Sequence, residues 1–242
     1  MDIIIITGGS KGLGKALTEK YKNEGYQIYS LARTPQAKKN HIAPIQIDLS
    51  DLNKSITVFE TLLNQILEKN PDSITFINNA GKLGKIDTLP NIPSGDIEST
   101  ITLNYTTPMV LCSIFIKMLR DFKGSKKIRN ISSGAAHGSH HGWSVYCSTK
   151  SAMDSFSKTM AVEEEKSPYP VHILSIYPGI IDTEMQAEIR KSKESEFSNV
   201  HRFIDMKKNN ELSSPQVIAD SIYQIDNDPH YESGEIVDVR TY

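Results

Sequence analysis

Short runs of β-branched and other apolar residues recur along the chain, each followed by a polar or glycine-rich turn and then a longer segment of helical periodicity. The first run, 3–6, is four consecutive isoleucines, the composition of a strand buried on both faces of a parallel sheet. It passes into Thr7-Gly8-Gly9-Ser10-Lys11-Gly12-Leu13-Gly14, after which Leu13, Ala16, Leu17 and Tyr21 share one side of a helix that Gly25 can stop. Further strands are predicted at 27–32, 44–47 and 73–77, in the run ending at Ile131, and at 171–177 and 235–239. Amphipathic helices are predicted at 52–69 and 99–122, from Tyr146 towards Glu165, and at 215–225. The charged segment 181–212 carries Ile189, Phe197, Val200, Phe203, Ile204 and Met206 at near-helical spacing. It reads either as a helical pair covering a crevice or as an ordinary surface helix. The alternation specifies an α/β chain: one doubly wound parallel sheet of about seven strands, helices on both faces, a single domain over 1–242.

Composition narrows the function without deciding it. A formal net charge of −2 and the absence of a basic run exclude nucleic acid and anionic membrane as expected partners. Cys112 and Cys147 are the two cysteines, with no C-x-x-C and no ligand spacing, which points to a reducing compartment. The first residues hold only four consecutive apolar positions and no basic stretch, so neither a signal peptide nor a span is expected. The expected location is the cytoplasm.

Ligand-like residues gather at the predicted strand ends. A glycine turn between strand and helix suits phosphate, because the helix N-terminus presents free N–H groups and the backbone can approach the anion. The spacing Gly-x-x-x-Gly-x-Gly differs from the usual dinucleotide fingerprint, and a purely structural turn is the alternative. The second strand ends at Arg33, where an NAD site would carry an acid. With Lys11 it supplies two cations for a 2′-phosphate, against the plain reading of solvated side chains. Asp48, followed by Leu49, is either a helix N-terminal residue favoured by the dipole or a partner for the adenine amino group. Asn78-Asn79-Ala80-Gly81 suits a ligand crevice or a local turn. Asn104, ahead of Pro108 in an apolar helix, is locally unfavourable, and such inconsistency marks function or strain.

The stretch 130–150 carries the candidate chemistry. Tyr146 and Lys150 are four apart and share a helix face, with roughly 5–6 Å between their Cβ atoms. A free phenol has a pKa near ~10; a neighbouring ammonium is expected to lower it and make Tyr146 a usable proton donor. Ser133, at a strand end, can orient and polarise a carbonyl oxygen. Tyr-x-x-x-Lys by itself also describes an ordinary solvated face.

Jointly, Thr7-Gly8-x-x-x-Gly12-x-Gly14, Asp48, Asn78-Asn79-Ala80-Gly81, Asn104, Ser133, Tyr146-x-x-x-Lys150 and Pro178-Gly179 with Thr183 resemble the short-chain dehydrogenases/reductases over essentially the whole chain. The resemblance implies a Rossmann-type fold and NADP(H) as cofactor. It implies a catalytic set of Asn104, Ser133, Tyr146 and Lys150, with Lys150 also on the nicotinamide ribose and Asn104 holding a water. Cofactor contacts are implied for Gly8, Ser10, Lys11, Gly12, Leu13, Gly14, Arg33, Asp48, Leu49, Asn79, Ala80, Gly81, Pro178, Gly179, Ile181 and Thr183. No metal is implied, and His137, His140 and His141 lack paired acidic or cysteine ligands. Gly142-Trp143, Asp182-Thr183-x-Met185-Gln186 and Ser233-Gly234-x-x-Val237-Asp238 are similar to the sepiapterin reductases and to bacterial homologues that reduce aromatic 1,2-diketones such as benzil. That likeness implies a small-molecule carbonyl substrate met by Ser133, Trp143, Tyr146, Gly179 and Met185, with Asp238 as anchor for a pterin; the alternative for Asp238 is a plain strand-end residue. The expected protein is an NADPH-dependent carbonyl reductase, a homodimer through its two long helices. A catalytically silent NADP-binding redox sensor is the competing expectation.

Overall fold

The four isoleucines of the first strand divide between two cores. In the computed structural model, which describes residues 1–242, Ile3 and Ile5 pack with Phe59, Phe76 and Phe115 on one face of a sheet. Ile4 and Ile6 pack with Leu17, Tyr21 and Ile222 on the other. Alternate residues of a strand point to opposite faces, so a strand covered on both sides needs an unbroken apolar run.

The sheet has seven parallel strands: β1 (Asp2–Thr7), β2 (Gln27–Ala32), β3 (Ile42–Gln46), β4 (Ser73–Asn78), β5 (Ser125–Ile131), β6 (His172–Tyr177) and β7 (Ile236–Asp238). Their order is β3-β2-β1-β4-β5-β6-β7. The chain runs outward from β1 to β3 and returns to the other side of β1, so a crevice opens where the direction reverses, at the carboxyl ends of β1 and β4. The helices are α1 (Gly12–Asn23), α2 (Leu52–Leu67), α3 (Ser94–Ile101), α4 (Thr107–Met118), α5 (Ser144–Glu164), α6 (Glu184–Ile189), α7 (Val200–Lys208) and α8 (Pro215–Asn227). α1 and α8 pack together on the Ile4 face, while α2, α4 and α5 cover the Ile3 face.

Two of the differences from the sequence expectation have a plain physical cause or consequence. The third strand begins at Ile42 rather than 44; Pro44 is tolerated within it because β3 is a sheet edge. The helix expected over 99–122 is instead α3, a π-helical stretch Thr102–Thr106 and α4. Asn104 lies in that π-helical stretch, a device that recurs at functional sites. Ser94–Met118 taken together is long and apolar enough to cross a membrane by length and composition. Here its parts pack against α2 and α5, with Leu111, Cys112 and Phe115 fully in the core.

A buried ion cluster joins β5, β6, α1 and α8. Arg129 donates through Nε to Asp226 Oδ1 at 2.7 Å and through Nη1 to the His172 carbonyl at 2.9 Å. Tyr21 donates its hydroxyl to Asp226 Oδ2 at 2.8 Å, and Lys127 donates to the Asp226 carbonyl at 2.7 Å. Arg129 Nη1 also lies 3.1 Å from His172 Nδ1, which makes Nδ1 the acceptor and leaves the Nε2–H to donate to the Tyr231 carbonyl at 3.0 Å. Burial, then the Arg129 charge, holds the His172 pKa below its usual value. The unfolded chain therefore takes up a proton near pH ~6.5 that the native protein refuses, and stability falls as pH drops below that point. Urea midpoints between pH 7 and pH 5 should fall more for the wild type than for His172→Gln; parallel declines would remove His172 from the acid response.

Candidate active site

The ends of β1 and β4 are stapled by side chains. The Thr7 hydroxyl accepts from the backbone N–H of Asn79 at 2.9 Å and of Ala80 at 3.0 Å, and the Asn79 amide donates to the Thr7 carbonyl at 2.9 Å. The glycine loop must then pass close to this staple. Gly8 takes the left-handed conformation at φ +69°, and a Cβ on Gly14 would run into the Gly8 carbonyl oxygen. Only glycine fits there. Ahead of it lies a crevice of about 530 Å³ over the N-terminus of α1, a cradle of the shape and chemistry that a dinucleotide pyrophosphate requires.

Most of the expected cofactor residues line that crevice. Gly8, Ser10, Lys11, Gly12, Leu13, Gly14, Arg33, Asp48, Leu49, Asn79, Ala80, Gly81, Tyr146, Lys150, Pro178, Ile181 and Thr183 all do, as does Met185. Asn104, Ser133, Trp143, Gly179 and Asp238 stand outside its lining. Asp48 does not cap α2: that place belongs to Asp51, which accepts from the Lys54 N–H at 3.0 Å. Asp48 instead accepts from the Ser50 N–H at 3.0 Å and its hydroxyl at 2.5 Å. Those bonds, with a smaller contribution from the Arg33 charge, hold its carboxyl below the usual range. Lys11 reaches across the crevice mouth to Glu184 at 2.6 Å, while Arg33 is exposed and takes part in no ion pair.

Asn104 acts as a clamp between the β4 loop and α5. Its Oδ1 accepts from the Lys82 N–H at 2.9 Å and its Nδ2 donates to the Lys82 carbonyl at 2.8 Å. The same Nδ2 lies 3.3 Å from the Thr149 hydroxyl, which donates to the Tyr146 carbonyl at 2.8 Å. The π-helical stretch thus turns one amide inward to hold two segments of the site.

The Tyr146–Lys150 electrostatics depart from the sequence expectation. Burial pushes the Tyr146 phenol up to about 12, and the Ser133 hydroxyl beside it pulls down by less. Lys150 does not lower it in this structure. Its Nζ stands 5.8 Å from the ring centroid and donates to the Ile131 carbonyl at 2.8 Å. Burial brings the ammonium down to about 8 against the opposing charge of Asp154. At neutral pH the tyrosine is a neutral acid, and the lysine, though lowered, still carries its proton. Asp154, one turn beyond Lys150, accepts from the Ser175 hydroxyl at 2.6 Å and from the Tyr177 hydroxyl. Its i+4 spacing from Lys150 was the sequence signal for it.

Segment 181–212 folds onto this site. Phe197, Val200 and Phe203 are buried with Trp143 and Tyr146 in one cluster, with Met185 at its margin. Trp143 stacks on Phe197 at 4.7 Å, nearly parallel, and meets Tyr146 edge-on at 5.8 Å. The loop histidines are dispersed: His137 against Tyr177, His140 against Trp143, and His141 accepting from the Ser198 N–H at 3.4 Å. Asp238 is occupied. Both of its carboxylate oxygens accept from Arg240, Oδ1 from Nε at 2.9 Å and Oδ2 from Nη2 at 2.5 Å. In this structure the carboxylate that the sequence reading offers to a pterin is paired with Arg240.

A glycine-lined phosphate cradle at the β1/β4 switch point, facing a buried acid and amine, defines a Rossmann-type dinucleotide-dependent oxidoreductase. A sequence profile described as short chain dehydrogenase matches residues 2–194. The chain belongs to that family, which uses NAD(P)H. It is 36% identical over the full length of both chains to a benzil reductase ((S)-benzoin forming) of Bacillus subtilis (strain 168). It is 33% identical over 98% of each chain to a benzil reductase ((S)-benzoin forming) of Bacillus cereus. Among solved structures, the KRED1-Pglu enzyme superposes with a TM-score of 0.83 over 98% of this chain and 100% of that one, at 24% identity. The protein is a short-chain oxidoreductase similar to carbonyl reductases of the benzil reductase type.

Proposed function

We propose that the protein is an NADPH-dependent reductase of vicinal diketones carrying aromatic groups. The observation that carries this reading is the apolar part of the crevice lining at Tyr146, where Leu83 and Met185 face the space and pack with Tyr146 against the buried rings of Trp143, Phe197 and Phe203; aryl rings suit such a lining. The occupied carboxylate of Asp238 weighs against a pterin, and the likeness to benzil reductases supports a diketone. When bound, NADPH supplies a hydride to the carbonyl carbon. Tyr146, protonated because its phenol is pushed up to about 12, gives its proton to the developing alkoxide. Ser133 orients that oxygen. Lys150, brought down to about 8, passes a proton back to the phenolate. A silent sensor has no use for this acid and amine held beside an apolar pocket. Initial rates of NADPH oxidation with benzil, sepiapterin and a simple aldehyde test the reading. Benzil should be the preferred substrate, and turnover confined to sepiapterin would contradict it.

The choice of NADPH rests on Arg33, exposed just after β2, with Lys11 also lining the crevice. A charge-assisted contact to the 2′-phosphate contributes about 10–100-fold in affinity. Arg33→Asp should weaken NADPH by that factor and NADH much less, measured by titration. Equal losses on both would make Arg33 irrelevant to cofactor choice. The reading also takes the protein as a cytoplasmic homodimer through α4 and α5. The two free thiols support the location, and Val162, 61% exposed on α5, supports the interface.

A further inference from the structure

The C-terminal turn brings a guanidinium to the substrate end of the site. β6 and β7 pair with Tyr177 abreast of Asp238, so the chain leaving β7 runs beside the Pro178-Gly179 loop leaving β6. Asp238 caps the short turn Val239–Thr241, accepting from the Arg240 N–H at 3.0 Å. Its carboxylate then grips the Arg240 side chain through Nε and Nη2. The stem of Arg240 lies on Gly179: a Cβ there would stand 3.3 Å from Cγ and 3.4 Å from Cδ. Its head reaches the neighbouring loop, where a Cβ on Gly134 would stand 3.9 Å from Nη2. Gly134 directly follows Ser133.

Three things separate this arginine from an ordinary solvated one. A two-point grip fixes the plane of the guanidinium, as a single surface ion pair does not. The two positions it crosses carry no side chain, so nothing stands between it and the loops that present Ser133 and Pro178. Of its five N–H donors, Asp238 takes two, and no other protein group accepts the remaining three. The side chain is 61% exposed, so those donors are reachable from solvent and from a ligand.

We propose that Arg240 is a substrate-binding residue that donates to the second oxygen of a vicinal dicarbonyl, and that Asp238 is the residue that positions it. The inference deepens the function proposed above and rests on it. It gives Asp238 a part in recognition through Arg240 in place of direct contact with the substrate. A diketone differs from a monoketone by that second oxygen, so the arginine is where the two are told apart.

The test compares benzil with deoxybenzoin, which has the same two rings and a methylene in place of one carbonyl. Trp143 is the only tryptophan in the chain and meets Tyr146 edge-on at 5.8 Å, so a change in its fluorescence reports binding to the NADP⁺ complex without turnover. Arg240→Met keeps the stem and deletes the donors. It should weaken benzil by about 10-fold and deoxybenzoin by less than 2-fold, with thermal midpoint and NADP⁺ affinity unchanged. Asp238→Asn should weaken benzil by a smaller factor in the wild type and have no further effect in Arg240→Met. Equal factors on the two ligands, or no change on either, would overturn the role of Arg240; additive losses in the double variant would overturn that of Asp238. Tight, Arg240-dependent binding of benzil without reduction would uphold this inference and sink the proposed reductase activity. Failure of the wild type to bind benzil at all would overturn both.

Discussion

Tyr146→Phe should abolish turnover while leaving the protein folded and able to bind dinucleotide. Phenylalanine keeps the edge-on contact with Trp143 at 5.8 Å and the packing against Phe197, Phe203 and Ile189. It deletes only the hydroxyl. General acid catalysis is typically worth about 10²–10⁴-fold, and kcat/KM should fall by at least that range, because the same hydroxyl also hydrogen-bonds the substrate oxygen. Dissociation constants for NADPH should stay within a few-fold of wild type, since most of the crevice is lined by the loops after β1, β2, β3, β4 and β6. A variant keeping more than a tenth of wild-type turnover would remove Tyr146 from the chemistry.

The second large effect lies beneath the sheet rather than in the site. Arg129 and Asp226 are both 1% exposed at their side chains. Burial alone would raise the Asp226 pKa, but the Arg129 and Lys127 charges outweigh it and hold the carboxylate ionised. Deleting one partner of a buried pair leaves the other uncompensated, a loss of about 3–5 kcal/mol, whereas removing both is often close to neutral. Arg129→Met should therefore lower the urea unfolding free energy by about 3–5 kcal/mol, with an unchanged m-value. Arg129→Met combined with Asp226→Asn should recover part of that loss. If the double variant were as unstable as the sum of the singles, the pair would not be acting as a unit.

Much of the fold was legible because each strand is an apolar run closed by a breaker. Gln27–Ala32 matches its predicted bounds, and the four isoleucines of β1 announced burial on both faces. The exceptions have local causes. The strand Ser125–Ile131 shows in the sequence only at its end, through Ile128 and Ile131, and its start does not, since Lys126 and Arg129 lie in it; their partners, the Leu119 carbonyl and Asp226, come from elsewhere in the chain. The interruption at Thr102–Thr106 showed only as an awkward asparagine, because a π-helical stretch has no composition of its own. In the site, residue types and spacing located the glycine loop, Tyr146 and Lys150. Spacing could not weigh burial against a neighbouring charge, so the direction of the Tyr146 shift came out reversed. Nor could it show Arg240 folding back on Asp238, a contact made by the turn after β7.

The central claim is that this protein moves a hydride to a diketone rather than only binding a dinucleotide. The direct measurement uses NADPH carrying deuterium at the transferable C4 position, with benzil as acceptor and mass analysis of the product. The account predicts benzoin with one deuterium on the carbinol carbon for each NADPH oxidised, and none formed by Tyr146→Phe. Saturable NADPH binding with benzil left unreduced, or benzoin formed without deuterium, would contradict it.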